Sequence, residues 1–347
     1  MHVGRRHIRR YMKFLSEHNR KRLLPIGAVV LLLAALVLGV MTGAAELSFS
    51  EMLGALLDAE RTSAAAKILW YVRIPRVCAA AVCGAALAVA GAVIQGVLAN
   101  HLASPGMIGV NAGAGVAVTI CAACGILGGW TLSLFAFLGA FLTMLAVSLS
   151  AKRWGATDGV VILIGAALNS LLGAVSDAIV TVKPDISVMN HDFRMGDFSA
   201  VTAAKLLPAA VIILGAITAL LFLTSELDIL TLGEDHARGL GMRTGRMRML
   251  FLLLAALLSG AAVCLAGLMS FVGLLVPHAV RRIVGTSAAR VLPFCALLGG
   301  AFTVLCDTAA RVLFAPYELP VGIFLAFLGA PFFLYLLLRG RRGGSHD

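Results

Sequence analysis

Charged side chains are scarce: Asp, Glu, Lys and Arg make up 13% of the 347 residues, while 60% are hydrophobic and the mean hydropathy is +0.98. A water-facing surface cannot be built from that ratio, so the solvent for most of the chain is lipid. Period-two alternation over stretches of about ten residues is also missing, which excludes a transmembrane β-barrel. In its place stand continuous apolar runs of roughly 20 residues, the length an α-helix needs to cross a hydrocarbon core. Lipid accepts such helices because they satisfy their own backbone groups.

Chemistry-bearing patterns are equally sparse. No Gly-Lys-Ser/Thr phosphate loop, His-Glu-x-x-His helix or nucleophile elbow occurs, so the chain is not expected to be an enzyme or to hold a cofactor. Intramembrane acids are few: Asp177 and Asp307 lie toward outer helix ends, Glu226 and Asp228 at an inner end. A proton- or sodium-coupled carrier needs acids near the midplane, so the driving energy is expected to come from elsewhere. Cys121 and Cys124 have no second pair or nearby histidine to complete a metal site, and the seven cysteines read as small core residues.

Hydropathy places ten spans near residues 23–45, 74–97, 105–128, 130–150, 159–181, 204–224, 249–269, 270–284, 290–314 and 319–338. The fold class is therefore all-α integral membrane, with a basic segment 1–22, a transmembrane domain 23–338 and a tail 339–347. The eighth span is short and contains Pro277 and His278. The first ends in small residues but has an apolar core longer than the roughly 7–15 residues of a secretory signal, so it reads as an uncleaved helix. The net charge of +11 is a topology signal rather than a nucleic-acid footprint. With both termini in the cytoplasm, inner segments hold 20 of the 28 Lys and Arg and outer segments hold eight.

The octet Gly84-Ala-Ala-Leu-Ala-Val-Ala-Gly91 in the second span is echoed by Gly260-Ala-Ala-Val-Cys-Leu-Ala-Gly267 in the seventh, which runs the opposite way. Small residues let helix backbones approach closely in lipid, and an inverted repeat is a common transporter architecture; chance likeness of Ala/Gly-rich helices is the bland reading. Between the second and third spans, residues 100–115 are rich in small residues and broken at Pro105-Gly106. Backbone freed at membrane depth must face protein or a water-filled path, which points to a translocation pathway or to a plain kink. Outside, Arg73, Arg76 and Arg311 run against the charge bias, either anchoring in headgroups or docking an acidic soluble partner. Inside, residues 225–248 form the longest connection, fitting two short helices broken at Gly239 and Gly241 and suited to a cytoplasmic partner or to a simple surface loop.

Several of these segments together resemble the FecCD-type permeases of ABC importers for iron-siderophores, haem and vitamin B12, over nearly the whole chain after about residue 20. The carriers are Arg73-Ile-Pro-Arg76, Gly84-Ala-Ala-Leu-Ala, Gln95-Gly96, Leu102-Ala-Ser-Pro-Gly-Met-Ile-Gly-Val110, Phe271-Val-Gly-Leu-Leu-Val-Pro-His278 with Arg281, and Glu318-Leu-Pro-Val-Gly322 with Gly329-Ala-Pro-Phe-Phe333. The resemblance implies a prokaryotic inner-membrane permease of the type II importer kind, paired with an identical chain or a paralogue. Two ABC ATPase subunits would carry the ATP and Mg²⁺, and an extracytoplasmic substrate-binding protein would deliver an iron-siderophore first of all, or haem or cobalamin.

It implies ATPase coupling through Leu232, Gly233, Glu234, His236, Ala237, Arg238, Leu240, Gly241 and Met242. Binding-protein docking falls to Arg73, Arg76 and Arg311, and the path and its gates to Asn100, Leu102, Pro105, Gly106 and Thr157. His101 stands where the family usually has proline, which bears on gate geometry; a solvated or headgroup-facing histidine is the expected role rather than a substrate ligand. The rival class is a secondary carrier or channel working without an ATPase, which the paucity of midplane acids disfavours.

Overall fold

The computed structural model describes residues 23–43, 47–58, 60–126, 129–153, 158–315 and 317–342, and every regular element among them is helical. In chain order the first helices are α1 (Leu23–Met41), α2 (Phe49–Leu57), α3 (Ala64–Val97), α4 (Val110–Ala123) and α5 (Gly129–Arg153). Next come α6 (Asp158–Val182), α7 (Ser187–Met195), α8 (Ala203–Phe222), α9 (Thr224–Thr231) and α10 (Glu234–Gly239). The last are α11 (Thr244–Ala266), α12 (Val272–Val284), α13 (Ala288–Val312) and α14 (Val321–Arg342). Each of the ten expected spans contains one helix. Among the described residues, α1, α3, α5, α6, α8, α11 and α13 are long and apolar enough to cross a membrane.

Three boundaries depart from the expectation, each for a backbone reason. The second span was placed at 74, but α3 begins at Ala64 and runs through a π-helical turn, Ile68–Arg73, in which Ile74 N–H bonds to Leu69 O. Pro75 has no N–H to donate and its ring crowds the carbonyl four residues back; the wider turn ahead of it keeps the helix continuous. Arg73 is thereby drawn into the helix. The third span was placed at 105, yet Pro105–Ile108 is a 3₁₀ turn that ends at Gly109 with φ +94°, and α4 follows with only 14 residues. In residues 225–248 the break falls at Gly233, φ +101°, between α9 and α10, whereas Gly239 and Gly241 end α10.

The most buried helix is α3, packed against α13, α11 and α12. Its glycines make the crossings possible: a Cβ on Gly84 would sit 2.2 Å from Gly299 O of α13, and one on Gly91 1.9 Å from Gly273 O of α12. Lipid supplies no hydrophobic force between helices, so such close backbone packing is a main source of cohesion. The two octets occupy reciprocal places. Gly84 faces α13, the third helix of the set α11–α14, and Gly260 faces Phe137 of α5, the third helix of the set α3–α6. Both second helices, α4 and α12, are short, and each follows a residue with positive φ, Gly109 or Phe271. This is the pattern an inverted repeat produces.

Candidate functional site

At one end of the bundle the three arginines expected to face an outside partner are buried, each 2–4% exposed. Arg76 meets Asp307 through Nε at 3.2 Å and Nη2 at 3.0 Å, Glu318 at 2.6 Å and Asp197 at 3.4 Å. Arg311 Nε forms an ion pair with Asp307 Oδ2 at 3.1 Å, one turn along α13. Its Nη atoms donate to Thr42 O and Gly39 O, each at 3.0 Å. Arg73 Nη1 donates to Val40 O at 3.0 Å and Met41 O at 3.2 Å.

Two arginines from α3 and α13 therefore satisfy the carbonyls that the last turn of α1 leaves open, where a cation also opposes the negative end of the helix dipole. Only 17% of α1's apolar window is buried, so this capping is a principal tie to the bundle. Headgroup anchoring or docking of an acidic partner was the expectation; within the single chain the carboxylates of Asp307, Asp197 and Glu318 and the carbonyls of α1 already engage these arginines. The i,i+4 spacing of Asp307 and Arg311 was visible in the sequence and signalled part of this cluster; the approach of Glu318 and Asp197 was not.

From the end of α3 nearest α9 the broken segment 98–109 runs inward, and its 3₁₀ turn packs against α6. Asn100 braces the turn, its Oδ1 accepting from Leu102 N at 2.9 Å and its carbonyl from Ala103 N at 3.1 Å. Asn169 of α6 donates Nδ2 to Gly106 O at 3.0 Å, satisfying backbone that the break leaves open. A cavity of about 470 Å³ opens here, lined by Pro105, Gly106, Asn111, Asn169, Ser270 and Phe271 among others. Beside it, α6 exposes Ala167, Ser170, Ala174, Asp177 and Thr181 along one face. Thr157 lies outside the described residues.

At the opposite end, α9 and α10 form a folded ledge. Glu234 pairs with Arg238 at 3.0 Å, and Arg238 Nε donates to Thr244 Oγ1 at 3.3 Å, tying α10 to the start of α11. Ala237 is buried beneath, whereas Leu232 and Leu240 are 62% and 67% exposed, and Gly233, Glu234, His236, Arg238 and Gly241 are also exposed. Met242 is half-buried, its N–H bonded to Ala237 O at 3.0 Å. Sequence reasoning missed the anchor of this ledge: Asp228 accepts from Ser287 Oγ at 3.0 Å and from Ala288 N at 2.7 Å, capping α13. Among the described residues, no group of three or more His, Cys, Asp or Glu side chains is placed to hold a metal ion.

Comparison with known proteins covers nearly the whole chain. Residues 31–339 match the FecCD transport family. The hemin transport system permease protein of Yersinia pestis is 35% identical over 329 residues, covering 93% of this chain and 97% of that one. The vitamin B12 import system permease protein of Vibrio cholerae is 37% identical over 298 residues, covering 81% and 84%. The iron(3+)-hydroxamate import system permease protein FhuB of Bacillus subtilis is 35% identical over 332 residues, covering 91% and 85%. Among solved structures, an inward-facing metal-chelate type ABC transporter superposes with a TM-score of 0.79 at 28% identity, covering 90% of this chain and 98% of that one.

Proposed function

The chain belongs to the FecCD transport family, and from that premise we propose that it is the permease subunit of an ABC importer for a metal chelate. The family consists of multi-pass transport permeases, not enzymes; ATP hydrolysis belongs to separate subunits. The observation that carries the reading is the folded ledge α9–α10, which presents Leu232 and Leu240 to water in a chain that has no phosphate loop of its own. Exposed leucines on a preformed, anchored ledge favour a cytoplasmic ATPase as the partner that covers them.

A second permease chain, identical or paralogous, would close the path against the polar and small-residue face of α6, a face poorly suited to lipid. Both termini would then lie in the cytoplasm, in keeping with the Lys/Arg bias. ATP and Mg²⁺ would be held by the ATPase subunits. A binding protein would dock over the rim of the buried ion cluster. Its carboxylates reach Arg73, Arg76 or Arg311 only by exchanging with Asp197, Glu318 or the carbonyls of α1, so docking and rearrangement of the cluster are one event.

Reading the cargo as a ferric siderophore, with haem and cobalamin next, rests on the transport systems named for the relatives. The test is uptake of labelled ferric siderophore, haem and cobalamin into proteoliposomes holding this chain and its cognate ATPase, with binding protein outside. Uptake that needs ATP and binding protein supports the reading. Uptake that proceeds without either moves the chain to the secondary carriers.

A further inference from the structure

A second cavity, of about 590 Å³, lies at the ledge end between the last turns of α3, α9, the end of α12 and the start of α13, away from the 470 Å³ cavity beside α6. Its charge is unbalanced. Arg281 is held from behind by neutral groups: its Nη1 bonds to Gln95 Oε1 and its Nη2 to Ala92 O at 3.3 Å, while Gln95 is itself fixed through Nε2 to Gly273 O at 3.1 Å. Arg290 stands exposed at the mouth. Among the described residues neither arginine has a carboxylate within ion-pairing distance.

Asp228 is the one acid among the described lining residues, and both its oxygens are engaged in capping α13. Thr286 adds a hydroxyl, that of Ser287 being given to Asp228, and Leu227, Ile229 and Val291 supply an apolar wall. A half-buried guanidinium fixed by neutral acceptors keeps its full charge, and that cost is offset when an anion enters. Two arginine forks with a hydroxyl donor fit tetrahedral oxyanions, and basic pockets between membrane helices at the cytoplasmic surface suit lipid headgroups.

We propose that this cavity binds a phosphate group, presented by an anionic phospholipid whose glycerol region lies against the apolar wall. Ala99 and His101 of the connection after α3 and Leu232 of the ledge complete its lining, so the site adjoins both the gate segment and the ledge.

The test uses the full-length chain, purified and delipidated stepwise, with native mass spectrometry and thermal unfolding in phosphatidylglycerol, phosphatidylcholine or inorganic phosphate. The parent is expected to retain phosphatidylglycerol in preference to phosphatidylcholine. Arg290→Ala, at an exposed position that tolerates truncation, should weaken that retention about fivefold to tenfold. Gln95→Glu, which places a carboxylate against Arg281 with little change of shape, should weaken it at least as much. Arg282→Ala removes the same charge from a neighbouring exposed position outside the cavity and should leave retention unchanged. Protection by inorganic phosphate, lost in Arg290→Ala, together with no lipid preference would support the phosphate site with a soluble occupant. Equal behaviour of Arg290→Ala and Arg282→Ala toward both probes overturns the proposal.

Discussion

Replacing Asp307 by asparagine removes one negative charge from between two buried arginines and changes almost no volume. Asp307 is 1% exposed, so water cannot take over its role. After the change Arg76 keeps Glu318 at 2.6 Å and Asp197 at 3.4 Å, and stays compensated. Arg311 keeps only neutral acceptors, Gly39 O, Thr42 O and Thr308 Oγ1. Arg311 therefore loses its direct ion pair and keeps only the more distant Glu318 charge, and breaking a buried pair from one side costs about 3–5 kcal/mol. The lower end applies, about 3 kcal/mol, because an amide still accepts one hydrogen bond. Denaturant or thermal unfolding of the purified chain in micelles reads the loss. Hydrogen exchange reads its location, which should be the carbonyl end of α1, where Arg311 holds Gly39 and Thr42. A variant within about 1 kcal/mol of the parent, with exchange at residues 38–42 unchanged, would refute the idea that this cluster ties α1 to the bundle.

Gly91→Ala should destabilise by at least about 1–3 kcal/mol, since its Cβ would lie 1.9 Å from backbone Gly273 O. Gly115→Ala, with nothing within 4 Å, should stay within about 0.5 kcal/mol of the parent in the same unfolding assay. Leu232→Asp with Leu240→Asp should abolish co-purification of the ATPase while leaving the melting temperature of the isolated permease unchanged; retained ATPase would remove the ledge from the interface. His101, exposed at the surface of the connection after α3, is held below its ordinary value of 6.5, by partial desolvation first and by the Arg281 cation second. The unfolded chain therefore binds the extra proton first, and stability falls as pH drops from about 6.5 through the folded value. His101→Gln should flatten that slope between pH 7.5 and 5.5 in thermal unfolding, and an unchanged slope would contradict the assignment.

The helices were legible because lipid imposes one rule on every span, a continuous apolar run of fixed length, and each of the ten expected spans contains a helix. Boundaries failed where backbone chemistry acts over a few residues: the π turn before Pro75 is a change of hydrogen-bond register over Ile68–Arg73, and Gly109 and Gly233 each break the chain with one positive φ. The arginines were singled out because the expected topology puts them on the side that Lys and Arg avoid, but their state was not legible, because Glu318 and Asp197 lie 242 and 121 residues away from Arg76 in sequence. Nothing in local spacing announces such partners. Asp228 was noted only as an acid at a helix end; its capping of α13 depends on a contact 59–60 residues distant.

The two charged ends share α13. Its 25 residues span about 37 Å, with Asp228 of α9 bonded at its first turn and Asp307 and Arg311 engaged with α3 and α1 at its last. A displacement of α9 by a partner at the ledge would therefore act on a stiff helix whose far end holds the arginine ion cluster, and a rigid element engaged at both ends is one physical means of coupling two sites. Asp228→Ala cuts the near attachment without touching the far one. In the assembled complex this variant should alter hydrogen exchange at residues 38–42 of α1 as well as at residues 285–290. It should also lower the number of cargo molecules moved per ATP hydrolysed, since hydrolysis itself occurs elsewhere. A change confined to residues 224–231 and 285–290, with that ratio intact, would mean that α13 does not transmit and that the two ends move by separate routes.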